Sequence, residues 1–439
     1  MKRNFVNESH EIMRTIILGM LGALLATTQS NAEDPTGGNW PRFRGPDGRG
    51  VAASQHVPVE LGKNTLAWSV PLPGPGSSSP VVWGAALFVT GEDRKKGEVT
   101  LVCLDVETGG TRWSKTVRTG DYQTHNMNNT AASTPCLAEN LVVFSWYDSV
   151  REVAMLSAFS HKGRELWQHE VGAIKVMHGI NLQPVVQDGR VLFAHLHQAG
   201  GYVAALDAGN GKPVWRREYP QLSNKTTYIT PLVRERHGGG KEVVVASVSI
   251  GVRGLDLATG EETWALSGVF KERTIVSPVD IMAGSGSQDS LLTAGCKNGV
   301  FFAVRPPDAA EGGEARVAWH FDKKTPYVPT PVSDGNTLYV LTDGGKLLAV
   351  DPASGALRWQ QRLRANFYAS PLLIGGRLYC LSREGEVFVA EVGKEFKLLS
   401  TLDLKPGDEV MWCDSTPAVA HDSLYLRIGA RLDCHRTMP

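Results

Sequence analysis

The stretch Thr330 to Trp359, TPVSDGNTLYVLTDGGKLLAVDPASGALRW, decides the fold, because it is the cleanest copy of a unit that recurs along almost the whole chain. Thr330-Pro331 opens a short apolar segment, Asp334-Gly335 supplies a turn, and Leu338 to Leu341 reads as a strand. Asp343-Gly344-Gly345 turns the chain again, and Leu347 to Val350 gives a third strand. In Asp351-Pro352-Ala353-Ser354-Gly355 the Asp carboxylate can accept backbone N–H bonds while Gly takes φ > 0, and Ala356 to Trp359 is the fourth strand. Leu338 and Val340 point one way and Tyr339 and Leu341 the other, so both faces of the sheet are apolar. Sheets buried on both faces suit four-stranded units packed side by side around an axis, where ring closure gives every sheet two neighbours.

Working outward, units begin at Ser79-Pro80, Thr134-Pro135, Gln183-Pro184, Thr230-Pro231, Ser277-Pro278, Thr330-Pro331 and Ser370-Pro371, at spacings of 40 to 55 residues. An eighth start, Thr416-Pro417, reaches only its third strand, Ala430 to Cys434, before the sequence ends. Its outer strand is the orphan Leu66 to Val70 around Trp68, which has no first three strands before it. The expectation is therefore an all-β, eight-bladed β-propeller over residues 66–439, with four-stranded antiparallel blades and the last blade closed by an N-terminal strand. Although 439 residues could hold two or three ordinary domains, the repetition overrides that prior. Variation falls in polar, Gly-rich loops at residues 234–241, 283–289 and 306–314.

Five units place a Trp eight residues after the third strand's last position and four after a glycine: Trp113, Trp167, Trp215, Trp264 and Trp359. Together with Trp68 and Trp319 these are read as structural residues, each indole filling the wedge between neighbouring blades. The pattern A-x-D-x-x-x-G-x-x-x-W, seen as Ala205 to Trp215 and Ala349 to Trp359, resembles the tryptophan-docking repeat of the pyrroloquinoline quinone (PQQ) propeller superfamily. That superfamily includes quinoprotein alcohol dehydrogenases and the non-catalytic outer-membrane protein assembly factor B, and the resemblance covers about residues 40 to 435. The signature Asp is replaced by Phe159 in the second unit, Arg305 in the fifth and Glu391 in the seventh, where Leu399 or a neighbour stands in the Trp position.

Lys+Arg and Asp+Glu both number 45, and removing the three basic and two acidic residues of positions 1–32 leaves 42 against 43, so no global charge points to nucleic acid or an anionic membrane. Ile16 to Ala26 is an apolar run between Arg14 and Ser30-Asn31-Ala32, read as a signal peptide over residues 1–32. At eleven residues the run is shorter than a bilayer span, which leaves no transmembrane segment in the mature chain and makes the protein exported, periplasmic or extracellular. Residues 33–65, rich in Pro and Gly, form an N-terminal strap whose aromatics pack on the ring, in preference to an anion or partner site made of Arg42, Arg44 and Arg49. The six cysteines show no CxxC and no adjacent pair, and small buried apolar roles are favoured over disulfides.

Segments leading into the innermost strands converge on the axial channel, so the ligand-binding candidates are His125, Asn126, Asn128, Asn129, His178, Asn181, Tyr228, Arg273, Tyr327, Tyr368, Trp412 and Asp414. His195-Leu196-His197 puts two imidazoles on one strand face, a geometry that can start a metal site, but solvated histidines at a strand end are the favoured reading. No catalytic set and no metal site is assigned, and no G-x-S-x-G elbow, P-loop or HExxH pattern is present. The leading reading is a monomeric, non-enzymatic binding or scaffold protein of the cell envelope, contacting a protein or peptide at a ring face or blade edge. The alternative implied by the resemblance is an oxidoreductase holding PQQ and calcium in the axial funnel, although no adjacent cysteines and no Ca²⁺-ligand set can be matched to that family. A weaker third reading uses His125 or His178 as a general base.

Overall fold

The computed structural model describes residues 38–54, 56–120, 125, 128–174, 179–180, 182–197, 200–219, 225–236, 239–283, 290–297, 299–307, 314–321, 325–404 and 412–438. The signal-peptide expectation, His178, Asn126 and Asn181 lie outside them. Among the described residues there is no helix. Eight sheets follow one another along the chain, six of them with all their strands in sequence order from the axis outward.

Blades 1 to 7 span Val81–Arg118, Cys136–Ala173, Val185–Tyr219, Leu232–Leu266, Val279–Phe321, Val332–Arg362 and Leu372–Asp403, each first strand following its S/T-Pro or Gln-Pro pair. Blade 8 takes its inner three strands from Ala418–Arg436 and its outer strand from Leu66–Pro71, with Trp68 opposite Cys434. The two ends of the propeller thus meet within one sheet, and no blade edge is left to close the ring. The second and third strands carry the core: Leu338 to Leu341 and Leu347 to Val350 are buried on both faces.

Two hydrogen-bonded circuits join the blades. In the outer one five indoles each lie against the next blade's glycine and donate Nε1–H to a carbonyl just past that blade's third strand. Trp68 reaches Val106 O at 2.9 Å, Trp113 His161 O at 2.8 Å, Trp167 Ala208 O at 2.9 Å, Trp215 Leu257 O at 3.0 Å and Trp319 Pro352 O at 2.9 Å. The signature Asp shapes the receiving loop: Asp256 Oδ1 accepts from the N–H groups of Ala258 and Thr259 at 2.9 and 3.0 Å, and Asp351 does the same for Ala353 and Ser354. The glycine then sits at φ near +70°, and a Cβ on Gly260 would lie 2.5 Å from the Trp215 ring.

The inner circuit explains the residue before each proline. A proline has no N–H, and the backbone N–H that precedes it lies just outside the ladder. Here that N–H donates to the equivalent side chain one blade on. Ser79 N reaches Thr134 Oγ1 at 3.0 Å, Thr230 N reaches Ser277 Oγ at 2.9 Å, Ser277 N reaches Thr330 Oγ1 at 3.2 Å, Thr330 N reaches Ser370 Oγ at 3.0 Å and Ser370 N reaches Thr416 Oγ1 at 2.9 Å. Where the third unit carries Gln183 in place of a hydroxyl, its Oε1 accepts from Thr134 N at 3.1 Å instead.

The strap runs across one end of the axial channel. Trp40 pairs with Val82 of blade 1, Pro41 O accepts from Leu137 N of blade 2, and Val51–Ala52 adds a parallel fifth strand to the innermost strand of blade 7. Arg44, at φ 65° and 1% exposed, sends its guanidinium inward to Thr330 O at 2.6 Å, to Pro331 O and Arg49 O, and to Gly48 O. Burial lowers its pKa to about 9, which leaves it charged at neutral pH. With Arg42 also buried on Pro46 O, and Arg49 on Asp47 and Ala283 O, these guanidiniums are tied inward rather than offered to an anion. All six cysteines are buried and unpaired.

Two alanine substitutions separate backbone strain from docking. Gly376 (φ +78°) has nothing within 4 Å of a built Cβ, so Gly376→Ala carries the backbone term alone, about 1 kcal/mol. Gly260→Ala adds the clash with Trp215 and is expected to cost about 2 to 4 kcal/mol in urea unfolding. Equal costs at the two positions would remove the glycine–indole contact from the account.

Candidate functional site

Antiparallel strands place the segments entering each first strand, and the turns between second and third strands, at one end of the ring. The turns between first and second strands, which the strap contacts at Gly84, Ala283 and Gly375, lie at the other. The entry end is therefore the one where candidate side chains can meet.

Three of them come together around a residue that the sequence reading did not single out. Arg383, in the second-to-third-strand turn of blade 7, lies 3.8 Å from the Tyr368 ring centroid and 4.4 Å from that of Trp412. It also makes a two-pronged bond to Asp414, Nε–Oδ1 2.7 Å and Nη2–Oδ2 3.1 Å. Both partners of that pair are nearly buried, and burial raises the Asp414 pKa while the bond to Arg383 opposes the rise. Trp412 is 43% exposed, leaving one indole face to solvent.

The next sector is built around Tyr327. Arg273 Nη1 lies 3.5 Å from its hydroxyl and Lys297 Nζ lies 5.5 Å from its ring centroid. Its backbone N–H donates to Asp343 Oδ2 at 2.7 Å, and Val328 N–H to Oδ1 at 3.3 Å. Burial raises the Asp343 pKa against these bonds. Tyr368, within electrostatic reach of Arg383, Asp343, Asp414 and Tyr327, links the two sectors, and burial raises its pKa.

The other described candidates precede blades 2 and 4. Tyr228 is positioned by its N–H to Thr274 O at 3.0 Å. His125 is exposed, and its carbonyl accepts from Asn128 N at 2.8 Å, while the Asn128 carbonyl accepts from Arg94. Asn129 is buried and spent on Ser77, whose N–H and Oγ it engages at 3.2 and 2.6 Å. Lys297, Asp343 and Arg383 occupy one aligned turn position in blades 5, 6 and 7. Their signal in the sequence is that charge type changes at a turn position where packing demands nothing.

The histidine pair differs from the expectation of solvated side chains. His195 and His197 are 3% and 8% exposed, with ring centroids 4.5 Å apart, because their strand is the second of blade 3 and is covered on both faces. Among the described residues no three of His, Cys, Asp or Glu converge on a metal position. A calcium ion would need about six to eight oxygens, and Asp414 and Asp343 are committed to Arg383 and to backbone N–H groups, while Glu272 pairs with Lys225 and Glu384 accepts from Asn366. These residues do not fit a PQQ–calcium set.

A family model described as outer membrane protein assembly factor BamB matches residues 151–308 and 308–426. The BamB of Moranella endobia (strain PCIT) is 25% identical over 273 residues, 57% of this chain and 62% of that protein. The chain thus spans less than two thirds of that relative's length. Among solved structures, BamB from Moraxella catarrhalis superposes with TM-score 0.57 at 14% identity, over 85% of this chain and 97% of that one. A quinohemoprotein alcohol dehydrogenase from Comamonas testosteroni gives TM-score 0.66 at 14% identity, over 92% and 81%. At such identities these two structures share the fold alone.

Burial holds the His195 pKa at about 3, the neighbouring His197 adding to the effect, whereas an unfolded imidazole titrates near 6.5. Between those values the unfolded chain binds the extra proton, so stability rises with pH and is lost as pH falls below about 6.5. From pH 7 to 4.5 this residue should remove about 2 kcal/mol, and His195→Gln should flatten that slope in denaturant titrations. An unchanged slope in the variant would show that the ring does not stay neutral in the folded state.

Proposed function

The chain belongs to the outer membrane protein assembly factor BamB family, and from that premise we propose that it is an exported, non-enzymatic scaffold of the cell envelope that docks a protein partner on the entry end of the ring. The observation that carries this reading is the Trp412–Arg383–Tyr368 stack. An indole 43% exposed is held rigidly over a buried guanidinium, as a recognition anchor is, and the adjoining carboxylates are engaged rather than open for a cofactor. The strap across the other end favours a surface to dock on over a pore to pass through.

Immobilised protein should retain a defined envelope polypeptide, identified by mass spectrometry, and Trp412→Ala should weaken that retention about tenfold or more while leaving the melting temperature in place. Titration with PQQ and Ca²⁺ should give neither tight binding nor dye-linked alcohol oxidation. Tight binding with turnover would replace the scaffold with an oxidoreductase, and a retained partner indifferent to Trp412 would move the docking site elsewhere.

A further inference from the structure

The same ring end carries a second, chemically different feature between blades 5 and 6. A hollow of about 340 Å³ is lined by Thr325, Thr342, Asp343, Gly344, Lys346 and Arg362. Lys346 and Arg362 stand directly opposite each other in the third and fourth strands of blade 6. Like charges in that register repel, and among the described residues neither has a carboxylate partner. The Thr325 hydroxyl donates to Gly299 O at 3.5 Å, tying the hollow to the blade 5 turn that holds Lys297. Beside it Arg273 keeps its Nε buried with no acceptor. Within the hollow Lys346 and Arg362 meet one carboxylate, Asp343, whose oxygens already accept from Tyr327 and Val328, while Lys297 is shared electrostatically with Glu272.

An opposed Lys–Arg pair is unfavourable in the isolated chain and a carboxylate between the two relieves it, while Arg273, linked to Asp343 through Tyr327, adds positive potential beside the hollow. We propose that this hollow is a carboxylate-binding site that takes an acidic segment of a partner polypeptide. The proposal rests on the scaffold reading and gives that partner its chemistry. Asp343 on the wall opposes a dianionic phosphate more strongly than a single carboxylate. A chain with 45 basic and 45 acidic residues also lacks the spread of positive charge that draws a protein to anionic lipid. The Tyr368 and Trp412 rings in the neighbouring sector offer stacking to apolar residues flanking the acidic ones.

Fluorescence anisotropy of the full chain with a fluorescein-labelled octapeptide of alternating Glu and Phe tests this. Its probes for comparison are the Gln-for-Glu peptide and the C-terminally amidated form. The Glu peptide should bind, and weaken at least about tenfold in Lys346→Gln/Arg362→Gln and in Arg273→Gln, and between 50 and 300 mM NaCl. Arg94→Gln, on blade 1 of the same end, should change nothing. Circular dichroism and the melting temperature confirm that each variant is folded, and Arg273→Lys should recover part of the binding. Loss on amidation assigns the site to a chain terminus, and indifference to it assigns the site to acidic side chains. Equal binding of the Gln peptide, or undiminished binding by folded variants, overturns the proposal. So does binding to phosphatidylglycerol vesicles that needs Lys346 and Arg362 while the Glu peptide is ignored. Partner retention that survives Lys346→Gln/Arg362→Gln would sink this site and leave the scaffold standing. Glu-peptide binding with no envelope partner retained would do the reverse.

Discussion

A flat indole resting on a glycine that belongs to the next blade is the contact on which the remainder of the ring depends. It needs three things at once from the receiving loop: no Cβ, a left-handed backbone, and a free carbonyl within reach of Nε1. The repeat Asp-x-x-x-Gly supplies all three, since the Asp carboxylate fixes the loop, the glycine accepts φ near +70°, and the residue after the Asp exposes its oxygen. A substituted glycine would place a Cβ 2.5 to 2.9 Å from an indole at Gly109, Gly163, Gly211, Gly260 and Gly355. The inner circuit of hydroxyl acceptors does the same work near the axis, where blades are too close for large side chains.

The junctions where this contact is altered show what it replaces. Blade 5 follows its third strand with Arg305-Pro306-Pro307, which offers no glycine for Trp264 to land on. Trp264 turns instead onto Gly254 of its own blade and donates to the buried Glu242 at 2.9 Å, and Arg234 balances that carboxylate at 2.6 Å. Blade 7 has Glu391 in place of Asp and no glycine four residues on. Trp359 therefore docks one residue further, on Gly393 O, with Phe396 set edge-on against it. An ion pair in one case and an aromatic contact in the other take over from shape.

What was legible in the sequence was whatever recurs. Eight S/T-Pro or Gln-Pro starts and the Asp-Gly-Trp spacing fix blade number, strand order and the displaced strand at Trp68, because each copy repeats the same local chemistry. Single-copy features were harder. The turn before Lys346 reads only as Asp-Gly-Gly, and nothing local says that Asp343 will cap the backbone of Tyr327 or that Arg383 will sit between two rings. The strap shows aromatics and arginines but no periodicity, so its path across blades 1, 2, 5, 6 and 7 emerges only from contacts hundreds of residues apart. The histidine pair was misjudged because a strand end looks solvated until the neighbouring blade is placed against it.

The strap also bears on how function and assembly divide the molecule. Arg44 lies buried among four carbonyls with Asp47 within electrostatic reach, so its charge is best compensated when Gly48, Arg49, Thr330 and Pro331 are all in position. Those groups come from segments separated by 287 residues, and the strand at Leu66–Pro71 pairs with Arg431–Arg436 over a still longer separation. Closing such loops costs entropy before the bonds reward it. The strand pairing closes the ring at its rim, and the strap crosses one end of the axis. A repeat protein gains individuality where its copies are released from packing, and here that release falls at the end opposite the strap, at Lys297, Asp343, Arg383 and Trp412.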